Sequence, residues 1–446
     1  MTRGHDRAVA AVRAMIAGRV PHALLIGGLS GIGKTTLALD LAAGLLCDDP
    51  DRDARPCRDC RGCRLVERGR HPDVHRLAPS GPGDQIRIGA RERPEDGTVR
   101  RLTSDLVLMP VEGGARVAIV ERADRLTDDA QTALLKTLEE PPAGVTIILC
   151  ADDEDRLLPT VRSRCARLRL GPVATRDVEA ILADGGIADP ALAARLARIV
   201  SGRPGAARSL ARAPAALAAR DEIARTLVDL LEAPIATRLT AARDLSARAT
   251  DVAKALDRAA AADPANGLGD GAMVASRGAR AGKSKAVASS PSPASIAPVP
   301  VAADGAVAAD ASGVAPGEAT DAADFDEVDE TAGRGAAPAA ERRRAAGFIV
   351  GLWREVARDL LVTCLGDERQ VRDPALLDDY RTAVAPRASP TTPASSTALP
   401  PASTHRAASL AGQLRRLDSA GELLEANVRP ELILDTLLLH WQWSAE

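Results

Sequence analysis

The chain has 446 residues and a net charge of -3 at pH 7, which is enough length for two or three domains at roughly 100 to 200 residues each. With a pI near 6.2, this balance excludes a protein that coats nucleic acid through bulk positive charge. Arginine and aspartate residues interrupt the first twenty residues, and no later run reaches the ~18 apolar residues of a membrane span. We therefore expect no signal peptide or membrane segment, and we interpret the chain as cytoplasmic.

The segment from Ala23 to Asp40 carries the main motif, after a short predicted helix over residues 6–18. An apolar run predicts a buried strand, and the P-loop pattern G-x-x-x-x-G-K-S/T follows it. Glycines let backbone N–H groups turn towards phosphates, the lysine reaches the β and γ phosphates, and the threonine hydroxyl can bind Mg²⁺. The alternative is a chance glycine-rich turn. The motif predicts an ATP site with these nucleotide-binding residues: Gly28, Gly31, Gly33, Lys34, Thr35 and Thr36.

Four cysteines follow the P-loop helix with the spacing Cys47-x9-Cys57-x2-Cys60-x2-Cys63. Four thiolates so close in sequence fit a structural, tetrahedral Zn²⁺ site that is closed by protein ligands. An iron–sulfur cluster is the alternative, because C-x2-C-x2-C also begins the bacterial ferredoxin pattern, although the fourth cysteine lies upstream here. We predict structural zinc bound by all four cysteines.

Strands are predicted over residues 73–77 and 116–121, and the second of them ends in Val-Ala-Ile-Val-Glu. P-loop ATPases place their Walker B acids at the carboxyl end of such a strand. Glu121 can therefore hold Mg²⁺, usually through water. Arg122 cannot act as a general base, because a guanidinium stays protonated in proteins. The alternative for Glu121 is an ordinary strand end that is held by a salt bridge.

A helix is predicted from Asp128 to Glu140, where apolar residues recur at helical spacing until Pro141 stops the helix. Glu139 and Glu140 oppose the helix dipole at this end. Two acids at the unfavourable end indicate either a functional constraint or a solvated, charged helix terminus.

Two further strands are predicted over residues 146–150 and 166–170, with Ser163-Arg164-Cys165 between them. The first is apolar throughout, as in a buried strand, and the second alternates with arginines. Cys150 and Cys165 are expected to pack as small hydrophobic side chains. The pattern therefore predicts five strands in this half of the chain.

Helical, Ala/Leu-rich sequence extends from Pro172 to about residue 262, and the pattern is then lost in Ala, Ser, Pro, Gly and Asp until about residue 340. Between Lys285 and Arg334 there are nine acidic residues and no basic one. Such a composition buries too little apolar surface to offset chain entropy, which predicts a disordered linker. Helical periodicity returns over residues 345–365 and again near the end of the sequence.

Four motifs resemble the bacterial clamp-loader AAA+ family. They are Pro-His-Ala-Leu-Leu before the P-loop, the four-cysteine insertion, Ala-Leu-Leu-Lys-Thr-Leu-Glu-Glu-Pro-Pro at 133–142 and Ser-Arg-Cys at 163–165. The likeness covers residues 6–210 well and the C-terminal part more loosely. It implies an α/β fold followed by an all-α part, with a five-stranded parallel sheet in the AAA+ domain. The implied domains are the P-loop AAA+ domain at 1–170 with a zinc-binding insertion at 47–63, a helical lid at 171–262, the disordered linker at 263–340 and a helical collar at 341–446.

The chain departs from the hydrolytic members of this family. Where those members have an acidic pair after the Walker B strand, this chain has Glu121-Arg122. Where they have a polar sensor residue after the fourth strand, this chain has Cys150-Ala151-Asp152. The lid arginine that would touch the γ phosphate is replaced by Gly205, with Arg203 two residues away. Arg164 is retained, and in the family this arginine points at a neighbouring subunit's ATP, where a finger contributes roughly 10³ to 10⁵ in rate. We therefore predict a catalytic role for Arg164 in trans, with a surface ion pair as the alternative.

The first hypothesis that follows is a subunit of the DNA polymerase III clamp loader that hydrolyses ATP weakly or not at all. It would help to open the sliding clamp and to place it on primer–template DNA, within a hetero-oligomer that contains gamma/tau and delta subunits. Structural zinc and ATP with Mg²⁺ are the implied cofactors. The second hypothesis is a gamma/tau-type motor ATPase, which Arg122 and Ala151 disfavour. The third is an unrelated zinc-bearing P-loop kinase or repair ATPase, for which no acceptor-binding acid stands out.

Overall fold

A computed structural model describes residues 2–80, 83–112, 114–263, 338–385, 401–426 and 428–443. The predicted disordered linker lies outside these ranges, except for the residues at its two ends. Within the described ranges, no helix combines the length and the apolar character that crossing a membrane requires.

Five short strands form one parallel sheet in the order β2-β3-β4-β1-β5, which confirms the predicted sheet. The strands are β1 (Ala23–Gly27), β2 (Val74–Leu77), β3 (Arg116–Val120), β4 (Val145–Ala151) and β5 (Ala166–Arg169). The three central strands are buried on both faces, which explains why they have continuous apolar sequences. The predicted strand at 73–77 begins one residue later. The buried Asp73 carboxylate just before it accepts hydrogen bonds from the backbone N–H groups of Val111 and Glu112.

Helices cover both faces of this sheet. They are α1 (Asp6–Ala17), α2 (Lys34–Leu45), α3 (Arg61–Glu67), α4 (Val99–Val107), α5 (Asp128–Glu139) and α6 (Pro159–Arg162). Side chains of β1 alternate between two cores, because successive residues of a strand point to opposite faces. Leu24 and Ile26 pack with α1, α2 and α3, and Leu25 packs with α4, α5 and α6. Each fully buried leucine contributes about 1.5–3 kcal/mol, so β1 anchors the P-loop that follows it.

Cys150 and Cys165 are both buried, which confirms that they pack as small hydrophobic side chains. Burial raises the pKa of the Cys150 thiol to about 12 and that of Cys165 to about 11. Both thiols are therefore protonated and unreactive at neutral pH.

Three short helices after β5 have an apolar core of their own. They are α7 (Thr175–Asp184), α8 (Pro190–Ile199) and α9 (Pro204–Arg212). Asp189 caps α8 by accepting a hydrogen bond from the backbone N–H of Leu192 at 2.9 Å, as favoured at a helix start. These helices occupy the first part of the range 171–262 that the sequence assigns to a lid, and we call them the lid helices.

Six longer or later helices share the largest apolar core of the chain. They are α10 (Pro214–Asp229), α11 (Ile235–Ala261), α12 (Ala339–Cys364), α13 (Leu377–Val384), α14 (Pro401–Glu425) and α15 (Pro430–His440). Trp353 of α12 meets Trp441 edge to face, with ring centroids 5.1 Å apart, and the Trp441 indole N–H donates to the Leu227 carbonyl at 2.6 Å. Within the range 171–262 that the sequence assigns to a lid, α10 and α11 pack mainly in this larger core, because their apolar faces meet α12. We call the six helices the collar helices.

A buried ion cluster joins the lid to the collar. Asp373, which precedes α13, accepts hydrogen bonds from Arg195 of α8 at 3.0 Å and from Arg220 of α10 at 2.9 Å. Arg220 also donates to Glu355 of α12 at 2.9 Å. Because burial leaves these charges little solvent, each depends on its partners, and removing one partner of such a pair costs about 3–5 kcal/mol.

Candidate nucleotide site and arginine finger

The P-loop connects the carboxyl end of β1 to the N-terminus of α2. Gly28, Gly31 and Gly33 all have positive φ angles, of 148°, 75° and 111°. Only glycine adopts such angles without steric cost, so these positions give the loop the turn that the motif requires. The predicted residues Gly31, Gly33, Lys34, Thr35, Thr36 and Glu121 line one cavity of about 840 Å³.

Lys34 is nearly buried, and its ammonium group has three protein acceptors. It donates to the carbonyl oxygens of Gly28 at 2.6 Å and Leu29 at 2.9 Å, and to Asp152 Oδ1 at 2.5 Å. An ammonium has three donors, so a phosphate must displace one of these acceptors. Asp152 is the residue that follows β4, at the sensor position, and its backbone N–H donates to the buried Asp124 carboxylate at 2.8 Å. Burial raises the pKa of Asp124.

Glu121 directly follows β3, as predicted, and its carboxylate is paired with an arginine. Arg76 of β2 donates to Glu121 Oε1 from Nε at 2.8 Å and from Nη2 at 2.6 Å. The alternative interpretation of Glu121 in the sequence analysis, a strand end that is held by a salt bridge, therefore describes this position. Both side chains are mostly buried, with 13% of Arg76 and 19% of Glu121 exposed.

Arg122 follows Glu121 with a positive φ of 50°, and it lines the same cavity as Lys34. Its Nη1 lies 2.6 Å from Asp84 Oδ2. The other oxygen of Asp84 pairs with Arg344 of the collar helix α12. Arg122 stands where the family's hydrolytic members have their second acid. Arg122, Asp84 and Arg344 form an ion triad, which links the AAA+ domain to α12.

The first turn of α9 contacts the P-loop. The backbone N–H of Gly205 donates to the Gly31 carbonyl at 2.8 Å, and a side-chain carbon at Gly205 would lie only 2.9 Å from that oxygen. Arg203 lines the same cavity, but its Nε donates to the Val200 carbonyl at 2.9 Å and its Nη2 lies 3.7 Å from Glu355. Arg203, which lies two residues from the position of the family's lid arginine, thus contacts Glu355 of α12.

Arg164 lies in the turn between α6 and β5, outside the cavity. Its Nη2 pairs with Glu139 Oε1 at 2.6 Å, and its Nη1 donates to the Thr160 carbonyl at 2.9 Å. The Arg164 side chain is 35% exposed and that of Glu139 is 49% exposed. The pair explains why an acid stands at the unfavourable end of α5: its charge faces a guanidinium rather than water alone.

The four predicted cysteines converge after α2. The sulfur atoms of Cys47, Cys57, Cys60 and Cys63 all lie within 4.8 Å of one another, and those of Cys60 and Cys47 are 3.9 Å apart. Backbone N–H groups of Cys57, Cys60 and Cys63 each point at the sulfur of the preceding cysteine at 3.3 to 3.4 Å. Hydrogen bonds from the backbone lower the pKa of Cys57 to about 7, whereas burial raises that of Cys63.

An exposed apolar run follows α4 at the edge of the AAA+ domain. Val107, Leu108, Met109 and Val111 are between 62% and 84% exposed. The backbone beneath them is fixed, because Arg116 donates to the carbonyl oxygens of Asp105 and Met109 and Asp73 accepts two N–H groups just beyond. An ordered apolar surface of this kind is typical of a protein contact site.

Sequence reasoning missed the charged partners of the predicted residues: Arg76 for Glu121, Asp152 for Lys34, Asp84 for Arg122 and Glu139 for Arg164. Arg76 carried a signal, because an arginine inside a half-buried strand favours an acid nearby. All four pairs join residues far apart in sequence, and no local pattern indicates which residue is the partner.

A P-loop at the carboxyl end of a parallel sheet, with the P-loop strand between β4 and β5 and small helices beside the loop, is the arrangement of a AAA+ type domain. A family model described as DNA polymerase III, delta subunit, matches residues 5–174. Residues 5–174 are therefore similar to this family, which indicates a clamp-loader AAA+ type of domain for this part of the chain.

Individual relatives agree with this family. The DNA polymerase III delta-prime subunit of Escherichia coli K12 is 40% identical over 195 residues, which are 44% of this chain and 55% of that protein. The tau subunit of Salmonella typhimurium LT2 is 35% identical over 164 residues, which are 37% of this chain and 23% of that protein. The chain thus spans about half of the first relative. A solved DNA polymerase III gamma subunit-related protein of Thermotoga maritima aligns with 60% of this chain and 97% of its own, at 17% identity and a TM-score of 0.32.

Proposed function

We propose that this chain is a delta-prime-like subunit of the DNA polymerase III clamp loader, which helps ATP-dependent loading of the sliding clamp onto primed DNA. An asymmetry between two sites carries the proposal. At its own P-loop, Glu121 is paired with Arg76, and Arg122 replaces the second Walker B acid. Arg164, in contrast, lies at the surface, where it can reach a neighbouring subunit.

The P-loop of this chain would bind nucleotide without turning it over. Thr35 and Thr36 line the cavity beside Lys34, so the loop keeps groups that hold phosphates. Hydrolysis needs a carboxylate that orients the attacking water. Arg122 supplies none, because its guanidinium stays protonated and pairs with Asp84.

Arg164 would act as an arginine finger in trans. Its pair with Glu139 is half exposed to solvent, and such a pair contributes only about 0.2–1 kcal/mol. A triphosphate at a subunit boundary carries more negative charge than one carboxylate, so the guanidinium can exchange partners. Glu139 would hold the finger near the surface until a neighbour docks.

The cysteine cluster would hold one structural Zn²⁺ ion. Four thiolates at about 2.3 Å from a tetrahedral ion lie about 3.8 Å apart, and the 3.9 Å separation of the Cys60 and Cys47 sulfurs matches this value. A cluster of several irons binds a thiolate at each iron and spreads the sulfurs further, which disfavours the iron–sulfur alternative. When bound, the ion would cross-link α2, α3 and the loop between them.

The partners that we propose are the gamma/tau and delta subunits, the sliding clamp and, within the assembly, primer–template DNA. The exposed run at 107–111 is the surface that we assign to the clamp, because its apolar side chains have no cover within the described residues. We expect the chain to act in the cytoplasm.

Reconstitution tests this function. The full chain is mixed with the gamma/tau and delta subunits of the same organism, and assembly is measured by size-exclusion chromatography with light scattering. Clamp loading onto primed circular DNA is then measured with and without the chain. We expect a stable complex, loading that depends on the chain, and little ATPase from the chain alone. Brisk hydrolysis by the isolated chain would instead support a gamma/tau-type motor, which the similarity to tau subunits also allows.

A further inference from the structure

The cavity at the P-loop contains acidic side chains, but each of them already has a basic partner. Within the described residues that line it, the pairs are Glu121 with Arg76, Asp152 with Lys34, Asp184 with Arg3, Asp257 with Arg344, Asp263 with Arg208 and Glu355 with Arg220. Protein sites for nucleotide-bound Mg²⁺ use one or two free carboxylates together with the phosphates. Each acid of this cavity is thus paired, and Mg²⁺ would have to replace a basic partner in order to bind one of them.

The pair between Arg76 and Glu121 is the decisive one, because Glu121 stands where the Walker B acid would approach Mg²⁺. Backbone pairing fixes both residues: Arg76 lies opposite Ile119 in the parallel ladder of β2 and β3, and the N–H of Glu121 donates to the Leu77 carbonyl at 2.8 Å. Both nitrogens of the Arg76 fork reach one oxygen of Glu121. The contact is therefore built into the register of the sheet rather than formed by mobile surface side chains.

We infer that nucleotide at this P-loop is bound without Mg²⁺, because Arg76 holds the carboxylate that would otherwise recruit the ion. The inference rests on the proposed retention of nucleotide binding. The guanidinium of Arg76 neutralises the Glu121 carboxylate, and its charge cannot be titrated away. Arg76 is thus a positioning residue that acts through Glu121.

The test uses the full chain and a fluorescent ATP analogue, whose binding is titrated by anisotropy with Mg²⁺ and with a chelator. For the wild type, we expect affinities that differ by less than about twofold. Arg76→Gln frees Glu121, so Mg²⁺ should then tighten binding by about tenfold, which corresponds to ~1.4 kcal/mol. Arg76→Lys keeps the charge and should retain the wild-type response. Arg167→Gln, on the exposed edge strand β5, is the matched control and should also resemble the wild type.

A second readout is independent of affinity. With Mn²⁺ in place of Mg²⁺, electron paramagnetic resonance should detect no nucleotide-dependent bound Mn²⁺ in the wild type and a bound signal in Arg76→Gln. Circular dichroism establishes whether that variant is folded, and the wild-type measurements decide the matter if it is not. Mg²⁺ tightening of wild-type binding by tenfold or more, or a bound Mn²⁺ signal, would overturn the inference. Absence of nucleotide binding under both conditions would also overturn it, but would leave the arginine-finger proposal intact, because that proposal concerns a neighbour's site.

Discussion

Removal of the Arg164 guanidinium should separate catalysis from stability. In Arg164→Ala the chain loses one half-exposed ion pair with Glu139 and one hydrogen bond to Thr160. The ion pair is worth about 0.2–1 kcal/mol, so the subunit should remain folded and should still assemble. The ATPase of the reconstituted complex should fall by roughly 10³ to 10⁵ at the affected site, which is about 4–7 kcal/mol of activation free energy.

Arg162 provides a matched control two residues upstream. Its Nη1 pairs with Asp155 at 2.5 Å, so Arg162→Ala also removes an arginine and an ion pair from the same turn. Steady-state phosphate release is measured for complexes that contain wild type, Arg164→Ala, Arg162→Ala and Lys34→Ala, at equal assembly. Only Arg164→Ala should cause a large loss, because Lys34 touches the chain's own silent site.

Three results would refute this reasoning. Equal losses in Arg162→Ala and Arg164→Ala would mean that the turn acts through its fold rather than through one guanidinium. A Lys34→Ala complex as inactive as Arg164→Ala would mean that the P-loop of this chain turns over ATP. A normal ATPase in Arg164→Ala would exclude a finger at this position.

Three further predictions concern the metal, the collar and the clamp. Cys60→Ser should abolish zinc binding, as measured by elemental analysis; iron in the wild type would contradict the assignment. Burial would raise the pKa of Asp373, but hydrogen bonds from Arg195 and the charge of Arg220 hold it below its usual value. The stabilisation is therefore present above about pH 4 and is lost as the pH falls through the lower folded pKa; Asp373→Asn should cost about 3–5 kcal/mol in denaturant unfolding. Met109→Ser should leave stability within about 0.5 kcal/mol but weaken clamp binding measured by surface plasmon resonance.

Much of the AAA+ domain could be predicted because its signals are local. The buried strands are apolar runs in the sequence. Thr127 caps α5 by accepting a hydrogen bond from the Ala130 N–H, and the helix ends at Glu139, close to the predicted end at Glu140. The division between lid and collar could not be predicted in the same way. Helices α10 and α11 are as Ala-rich as the lid helices, and only their contact with α12, across the long segment outside the described residues, assigns them to the collar core.

The candidate site shows the same limit. Motif spacing identified Lys34, Glu121, Arg164 and the cysteines. The structure brings the predicted P-loop residues except Gly28 to one cavity with Glu121, and the cysteines form one cluster. Motif spacing could not show that Lys34 and Glu121 already have charged partners. Those partners come from neighbouring strands or distant loops, so they depend on tertiary packing rather than on local pattern.

The ion triad of Arg122, Asp84 and Arg344 has a consequence for how this chain can evolve. Restoring the second Walker B acid by Arg122→Glu would place a carboxylate against Asp84 and leave Arg344 as that residue's sole neutralising neighbour within the triad. The change would therefore introduce repulsion at the collar before it could restore any hydrolysis, and a productive return would require Asp84 to change in the same lineage. At this one position, the acid that hydrolysis would need and the arginine that pairs with Asp84 exclude each other.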